Sequence, residues 1–282
     1  MTAPTAARAD LPVGLPCVMG IVNVTPDSFS DGGLYADPAR AVEQGLRLVG
    51  EGAAIVDVGG ESTRPGSLPV PVDQELERVL PVVQGLAPHA PLLSIDTTKA
   101  EVARLALDAG AGMVNDVTSL RSDPAMAGLV AERRCPVCLM HMLGEPRTMQ
   151  DDPRYDDVVA EVTAFLEERL EAAVAAGVRE EQVLLDPGIG FGKTLEHNLL
   201  LLRHLDRIAA LGRPVVLGAS RKRFLGALGL PEGERVSGTV ATTVLGLTRG
   251  AVVFRVHDVR PNVEALTVAR AVLAAGDGPD GG

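Results

Sequence analysis

Eight short runs rich in Val, Ile and Leu recur along the 282-residue chain, and each is followed by a segment with helical periodicity. The runs show little alternation of apolar and polar residues, which is typical of strands buried on both faces of a parallel sheet. We predict strands at 17–23, 53–58, 92–96, 112–116, 135–141, 182–186, 214–218 and 251–257. The helical patterns cover 37–50, 73–87, 99–109, 123–133, 156–176, 196–211, 222–228, 235–249 and 260–275.

Eight consecutive βα units imply a closed barrel or a doubly wound sheet. The length suits a barrel, because a (β/α)₈ barrel typically needs about 250 residues. The two longest segments with turn chemistry, 24–33 and 60–73, follow the first two strands. Barrels place their active sites at these carboxyl ends of strands.

Bulk composition excludes several classes of partner. The formal net charge of −11 would repel nucleic acid and anionic membranes at long range, so we expect neither as a partner. No run of about 18 apolar residues is free of charges and breakers, and residues 1–14 contain no apolar signal core. We therefore expect a cytoplasmic protein.

Polar or charged side chains stand at the ends of all eight predicted strands. A solvated rim favours Lys, Glu and Ser without a preference for strand ends, so this convergence indicates an active site. The residues are Asn23, Glu61 to Gly66, Asp96, Asn115, Asp116, His141, Asp186, Ser220, Arg221, Lys222, Arg255 and His257.

These strand-end groups have two chemical characters. Asp96, Asn115 and Asp186 offer acceptors that suit a flat ligand with several N–H donors. A second set, near strands 1, 2 and 8, suits an oxyanion, and its Asn could contact a metal. That set consists of Asn23, Arg64, Arg255 and His257. Lys222 follows strand 7 at a helix start, where phosphate or carboxylate sites are common.

Purely structural interpretations remain open for several of these residues. Asp186 precedes Pro-Gly and could only initiate a turn. Asp96 could cap the following helix, and Asn115 could be a turn residue. Arg255 lies inside an apolar strand and must have an anionic partner or a ligand, because a buried unpaired charge is too costly. The role of His141 stays undecided.

Long segments of the chain resemble the dihydropteroate synthases, a family of pterin-binding enzymes. The resemblance covers about residues 16 to 275. The matching segments are MGIVNVTPDSFSDGG (19–33), IVDVGGESTRPG (55–66), SIDTTKAEV (94–102), VNDVTSL (114–120), CLMHMLGEPRTMQ (138–150), LLDPGIGFGKTLEHN (184–198), GASRKRFLG (218–226) and RVHDV (255–259).

The resemblance implies a single-domain (β/α)₈ TIM barrel over 15–275. From the composition of the two ends we expect a flexible N-terminus at 1–14 and a disordered tail at 276–282. It also implies a catalytic group of Asp96, Lys222, Arg255 and Asn23. The pterin-binding set would be Asp96, Asn115, Asp186, Lys222 and Arg255. The pyrophosphate set would be Asn23, Thr63, Arg64, Arg255 and His257, with Asn23 also contacting Mg²⁺. The p-aminobenzoate set would be Thr63, Pro65, Phe191, Ser220 and Lys222.

The implied reaction joins 6-hydroxymethyl-7,8-dihydropterin pyrophosphate to p-aminobenzoate and releases pyrophosphate and 7,8-dihydropteroate. Residues 29–31 and 63–65 would belong to two loops over the site. The resemblance further suggests a homodimer through outer helices. Two alternatives are a pterin-binding paralogue without activity and a corrinoid-linked methyltransferase. The TPDSF and STRPG loops disfavour the methyltransferase.

Overall fold

The protein is a closed barrel of parallel strands. In this computed structural model the described residues are 11–25, 37–62 and 66–275, and within them eight strands pair in chain order, with the eighth strand pairing with the first. The strands are β1 (Cys17–Asn23), β2 (Ile55–Gly59), β3 (Leu93–Asp96), β4 (Met113–Asp116), β5 (Val137–Met140), β6 (Val183–Asp186), β7 (Val215–Leu217) and β8 (Ala251–Val256). This arrangement confirms the predicted (β/α)₈ barrel.

Helices follow the strands and surround the barrel. In the same described ranges they are α1 (Pro38–Gly50), α2 (Val72–Leu86), α3 (Ala100–Asp108), α4 (Met126–Arg133), α5 (Val158–Ala175), α6 (Leu195–Arg203), α7 (Leu205–Ala209), α8 (Arg223–Ala227), α9 (Val236–Thr248) and α10 (Val259–Ala274). Among the described residues, none of these helices combines the length and apolar character needed to cross a bilayer.

Each predicted strand contains an observed one, save that β2 continues to Gly59, but one helix prediction is wrong. The segment 196–211 is two helices, α6 and α7, which are separated at His204 with φ −113° and ψ 29°. Both halves bury side chains on one stripe, namely Asn198, Leu201, Leu205 and Ile208. Apolar spacing therefore continues through the break, which is why it predicts a single helix.

Local sequence explains where the clearest helix begins and ends. The Asp157 side chain caps α5 by accepting hydrogen bonds from the backbone N–H groups of Val159 and Ala160, each at 3.0 Å. Gly177 follows the helix with φ +96°, as a glycine after a helix C-terminus commonly does.

Strand residues alternate between the barrel interior and the surrounding helices. Outward residues such as Val56, Val58 and Ile95 belong to the large core between strands and helices. A smaller interior cluster fills the barrel with Cys17, Met19, Ile55, Leu92, Met113, Cys138, Leu184, Val216 and Val253. Leu11, Val13 and Leu15 pack against this interior cluster. The interior is therefore a packed core, and a ligand can enter only at one end.

Candidate active site

The strand register aligns polar side chains at the carboxyl end of the barrel. Gly59 of β2 pairs with Asp96 of β3, and Asp96 pairs with Asn115 of β4. On the other side of the barrel, Met140 of β5 pairs with Asp186 of β6. Residues that are far apart in sequence thus lie at one level of the barrel.

The uppermost interior layer on alternate strands is polar. In a (β/α)₈ barrel, four side chains from alternate strands fill each interior layer. The even-numbered strands contribute an apolar layer of Ile55, Met113, Leu184 and Val253. Two residues further along the same strands stand Asp57, Asn115, Asp186 and Arg255. The floor of the site is therefore formed by ionisable and amide groups of the barrel itself.

Arg255 connects three strands through two carboxylates. Its Nε donates to Asp57 Oδ2 at 2.7 Å, and its Nη2 donates to Asp96 Oδ2 at 2.7 Å. The amide Nδ2 of Asn115 also donates to Asp57 Oδ2, at 3.0 Å. Burial lowers the pKa of Arg255, but the two carboxylates outweigh burial, so the net shift is upward. The arginine stays a cation, and Asp57 and Asp96 are the anionic partners that its strand position required.

Asp96 is a carboxyl group near the point of titration at neutral pH. Burial raises its pKa to about 7, against the lowering effect of Arg255 and with a further raising effect of Asp57. Asp96 does not cap the following helix, because the Ala100 N–H of α3 donates to Asp123 Oδ2 at 2.8 Å. Its oxygens therefore face the site.

Asn115 is not the residue that forms the turn after β4. That turn is held by Asp116, whose side-chain oxygens accept from the N–H groups of Thr118 at 2.8 Å and Leu120 at 3.0 Å. Asp116 points to the outer side of the strand, whereas Asn115 is bonded to Asp57 in the interior.

Asp186, Lys222 and Phe191 form the opposite wall. Asp186 does initiate a turn, since its Oδ1 accepts from the Gly188 N–H at 2.7 Å. Its other oxygen lies 3.6 Å from where a Cβ would stand on Gly218, and Lys222 Nζ lies 3.9 Å from the same point. Gly218 therefore leaves space that any side chain would fill.

The ammonium group of Lys222 is held at the edge of that space. It donates to the carbonyl oxygen of Ile189 and lies 4.4 Å from the centroid of the Phe191 ring. Burial lowers the pKa of Lys222 to about 8, although Asp186 acts in the opposite direction. Burial likewise raises the pKa of Asp186, against the lowering effect of Lys222.

Phe191 belongs to a small apolar wall beside the polar floor. It packs against Val117, Met140, Met142 and Met149. An aromatic substrate ring could lie against this surface, with Lys222 above the phenyl ring offering a positive charge.

Three other predicted residues lie at the β1, β7 and β8 side of the barrel mouth. Asn23 ends β1 and pairs in register with Gly59. Ser220 Oγ accepts from the His257 N–H at 3.1 Å and lies 3.1 Å from His257 Nδ1. Ser220, predicted for the p-aminobenzoate site, thus adjoins a residue predicted for the pyrophosphate site.

The remaining predicted residues cannot be placed. Thr63, Arg64 and Pro65, and the first-loop residues 29–31, lie outside the described residues.

Several charged residues near the site were not singled out from the sequence. Asp57 is one, although a charge inside an apolar strand is the same signal that identified Arg255. Lys99 is another, whose Nζ lies 2.5 Å from both Glu61 Oε2 and Glu75 Oε2. Lys193 is a third, buried and 2.9 Å from His141 Nδ1. No sequence pattern connects the partners in these last two groups, because they meet only in the fold.

The described residues fit a magnesium ion only if a ligand supplies most of its coordination. Within 11–25, 37–62 and 66–275, no group of three or more His, Cys, Asp or Glu side chains could hold a metal. Mg²⁺ usually keeps several waters and uses one or two protein oxygens together with substrate phosphates. The Asn23 amide oxygen at the barrel mouth is compatible with that mode of binding.

Comparison with known proteins agrees with this geometry. The pterin binding enzyme family matches residues 19–257. Dihydropteroate synthase of Escherichia coli (strain K12) is 46% identical over 272 residues, which is 96% of either chain. The structure of Xanthomonas albilineans dihydropteroate synthase with 4-aminobenzoic acid superimposes with a TM-score of 0.86 at 53% identity, covering 92% of this chain and 94% of that one.

A second Xanthomonas albilineans structure, in complex with 7,8-dihydropteroate, has a TM-score of 0.83 at 50% identity and covers 92% of this chain and 94% of that one. A barrel with this polar floor is that of a pterin-binding transferase. The chain belongs to the dihydropteroate synthase family, whose members form a carbon–nitrogen bond.

Proposed function

We propose that the chain condenses 6-hydroxymethyl-7,8-dihydropterin pyrophosphate with p-aminobenzoate to give 7,8-dihydropteroate and pyrophosphate. One observation carries the proposal. Acceptors from three strands, on Asp96, Asn115 and Asp186, surround one end of the barrel at which Arg255 and Lys222 supply positive charge. This combination suits a flat, donor-rich ring that bears an anionic leaving group.

The pterin ring would lie on the polar floor. Charged or amide acceptors at Asp96, Asn115 and Asp186 would accept hydrogen bonds from its N–H edge, and Lys222 would donate to its carbonyl oxygen and N5. Gly218 supports this placement, because the space beside it is bordered by Asp186 and Lys222. Arg255 would stack over the ring.

The chemical step is a displacement at the pterin methylene carbon. The p-aminobenzoate nitrogen forms the new C–N bond, the C–O bond to pyrophosphate breaks with its electron pair, and the amine loses a proton. An arylamine is a weak nucleophile, so negative charge develops early on the leaving group. Arg255, His257 and Asn23 would stabilise that charge, which is the kind of contribution that fixed donors make in many enzymes.

Magnesium would assist on the leaving-group side. We propose that Asn23 contacts the ion and that the ion neutralises pyrophosphate charge when bound. Omitting Mg²⁺ should weaken the binding of pyrophosphate itself, measured by calorimetry. Equal affinity with and without Mg²⁺ would contradict this part of the proposal.

The p-aminobenzoate would bind between the apolar wall and the mouth of the barrel. Phe191 offers an aromatic surface, and Lys222 and Ser220 offer donors near it. Thr63 and Pro65 would complete this side, and Thr63 and Arg64 the pyrophosphate side, as the family resemblance implies.

The direct test is turnover. The purified protein with Mg²⁺ should form dihydropteroate and pyrophosphate from the two substrates, and failure to form product at high enzyme concentration would refute the proposal. Replacing Asp96 or Lys222 with Ala should lower kcat by about two orders of magnitude or more while the fold persists. Near-normal activity in both variants would refute the assignment of the site.

We also propose a homodimer that forms through the outer helices. Four large apolar side chains are more than half exposed on the neighbouring helices α9 and α10: Leu245 (61%), Val268 (64%), Val272 (67%) and Leu273 (51%). Val268 and Val272 are four residues apart, so they share one face of α10. Large apolar side chains exposed on neighbouring helices are a feature that interfaces between proteins commonly share.

Sedimentation measurements test the homodimer. The wild type should have twice the mass of the chain, and the Val268→Glu/Val272→Glu variant should sediment as a monomer with unchanged circular dichroism. Leu68→Glu is the matched control, since Leu68 is 70% exposed on another part of the surface. A monomeric wild type would refute the dimer. A cytoplasmic location is proposed as well, and cell fractionation would test it.

A further inference from the structure

Asp57 is a fully buried carboxylate in the floor of the candidate site. It lies in the middle of β2, between Ile55 and Gly59 on the interior face, and has no exposed surface. A buried carboxylate is tolerated only when partners compensate for the loss of hydration. Its partners therefore indicate its role.

Within the part of the chain that the structure describes, Asp57 accepts two hydrogen bonds, and both come from residues of the proposed pterin-binding set. Oδ2 accepts from Arg255 Nε at 2.7 Å and from Asn115 Nδ2 at 3.0 Å. The bond to Nε acts on the part of the guanidinium nearest its stem and so fixes the plane of the whole group. A guanidinium has five N–H donors. One donor is directed to Asp57 and one to Asp96, so the described residues leave three for a substrate.

Asp57 also selects the orientation of the Asn115 amide. If the amide were rotated by half a turn, its carbonyl oxygen would lie 3.0 Å from a carboxylate oxygen, and the two would repel each other. The amide nitrogen therefore faces Asp57 and the amide oxygen faces away from it. An amide oxygen that is free to face the ligand is what recognition of a ring N–H requires.

Asp57 and Asp96 differ in their access to a ligand. Asp96 stands at the strand end, retains 7% exposure and can exchange its contact with Arg255 for contacts with substrate. Asp57 lies inside its strand, has no exposed surface and cannot be reached. It is therefore the permanent anchor of Arg255, whereas Asp96 is the exchangeable one.

We propose that Asp57 is a positioning residue that fixes Arg255 for the leaving group and Asn115 for the pterin ring. This inference rests on the proposed function, because it assigns a role within the same site. It predicts that loss of Asp57 impairs the pyrophosphate and pterin side of the reaction and leaves the p-aminobenzoate side intact.

Two substitutions and one matched control test the proposal. Asp57→Asn keeps the size and one acceptor oxygen but removes the charge, and Asp57→Val removes both. Ser94→Ala is the control, because Ser94 is the register partner of Asp57 on β3 and is equally buried. In the described residues its hydroxyl bonds neither Arg255 nor Asn115. Each variant is first checked by circular dichroism and thermal melting.

The expected pattern separates positioning from general damage to the fold. Asp57→Asn should lower kcat about tenfold, and Asp57→Val about a hundredfold, because the hydrogen bonds lost are to a charged group. Affinity for the pterin pyrophosphate, titrated by fluorescence, should fall in parallel. The KM for p-aminobenzoate should stay within about twofold of wild type, and Ser94→Ala should match the wild type throughout.

The pH dependence of kcat/KM distinguishes a positioning role from a merely structural one, because loss of a structural contact alone would not shift it. The charged groups acting on Asp96 are Arg255, which lowers its pKa, and Asp57, Glu75 and Asp116, which raise it. Removing the charge of Asp57 removes a raising influence, so the acid limb of kcat/KM in Asp57→Asn should move to lower pH.

The inference is overturned if Asp57→Asn and Asp57→Val fold and retain wild-type kcat and pterin affinity. It is also overturned if the p-aminobenzoate KM rises as much as the pterin affinity falls. Should Asp57→Val fail to fold, the isosteric Asp57→Asn decides alone. If the wild type makes no dihydropteroate, the proposed function is refuted instead. Failure of the proposed function can therefore be distinguished from failure of the positioning role of Asp57.

Discussion

At the residue scale, the barrel end contains buried ionisable groups whose partners determine their charge. Lys193 is 3% exposed, and its Nζ lies 2.9 Å from His141 Nδ1 and 3.0 Å from the Phe191 carbonyl oxygen. The His141 ring packs edge-on against Phe165 at 4.8 Å between centroids. Burial, with a smaller contribution from the neighbouring Lys193, lowers the pKa of His141 to about 3. His141 is therefore a neutral ring whose Nδ1 contacts the Lys193 ammonium group, and we propose that its role is structural.

Because the His141 side chain is neutral in the folded protein, we expect the free energy of unfolding to fall at acidic pH. Below its ordinary pKa of about 6.5, His141 takes up a proton in the unfolded chain but not in the folded one until about pH 3. Stability should therefore fall as pH drops from about 6.5, by at most about 1.4 kcal/mol per pH unit from this group. Denaturant unfolding at several pH values should show a shallower acid loss for His141→Gln than for wild type. Parallel curves for the two proteins would exclude this linkage.

Strand-end position predicts the site residues that end an apolar run, but not a site residue that lies inside its strand. Asp96, Asn115 and Asp186 could be predicted because a polar residue that ends an apolar run is visible in the sequence. Asp57 is followed by two further strand residues, so its contact with Arg255 depends on barrel closure between distant strands. The Lys99–Glu75 pair could not be predicted for the same reason, since Glu75 lies in α2 and Lys99 lies in the loop that follows β3.

At the element scale, the segment that follows β6 packs closely against the end of β5. The His141 N–H donates to the Asp186 carbonyl oxygen at 3.0 Å, and the Phe191 N–H donates to the Gly188 carbonyl oxygen at 3.0 Å. Gly188 has φ +65°, and a Cβ on it would lie 1.8 Å from the His141 carbonyl oxygen. The turn that presents Phe191 can therefore form only with glycine at this position.

Gly188→Ala should consequently be one of the most damaging small substitutions in the chain. The clash is with backbone and cannot be relieved by a rotamer change, so we expect a loss of about 3 kcal/mol or more of unfolding free energy. Gly212→Ala is the control, since Gly212 has φ +76° but open space around the Cβ position, and should cost only about 1–2 kcal/mol. Urea unfolding measures both, and equal losses would show that the contact with His141 is unimportant.

At the scale of the whole molecule, the site is inseparable from the barrel. Asp57, Asp96, Asn115, Asp186 and Arg255 come from five strands, and closure between β1 and β8 brings the first of these strands near the last. Opening any one of these strands would disturb the strands that pair with it. Ligand binding should therefore stabilise the entire barrel as a unit.

Thermal unfolding tests this coupling. At about one hundred times its Kd, the pterin pyrophosphate should add about 2.7 kcal/mol to the unfolding free energy. For a chain of 282 residues, that corresponds to a rise in Tm of roughly 5 °C in a single transition. Asp186→Ala should show a smaller rise at the same concentration. Separate transitions for far-ultraviolet and aromatic signals would argue that the site unfolds on its own.

The polar layer of Asp57, Asn115, Asp186 and Arg255 occupies space that apolar side chains could fill. Replacing buried ion pairs with well-packed apolar residues often leaves the free energy of unfolding unchanged or raises it by about 1–4 kcal/mol. A lineage released from the need for this reaction would gain nothing by keeping the layer. Variants selected for thermal stability alone should therefore lose these four residues early. A relative that lacks them would have kept the barrel but lost the catalytic activity.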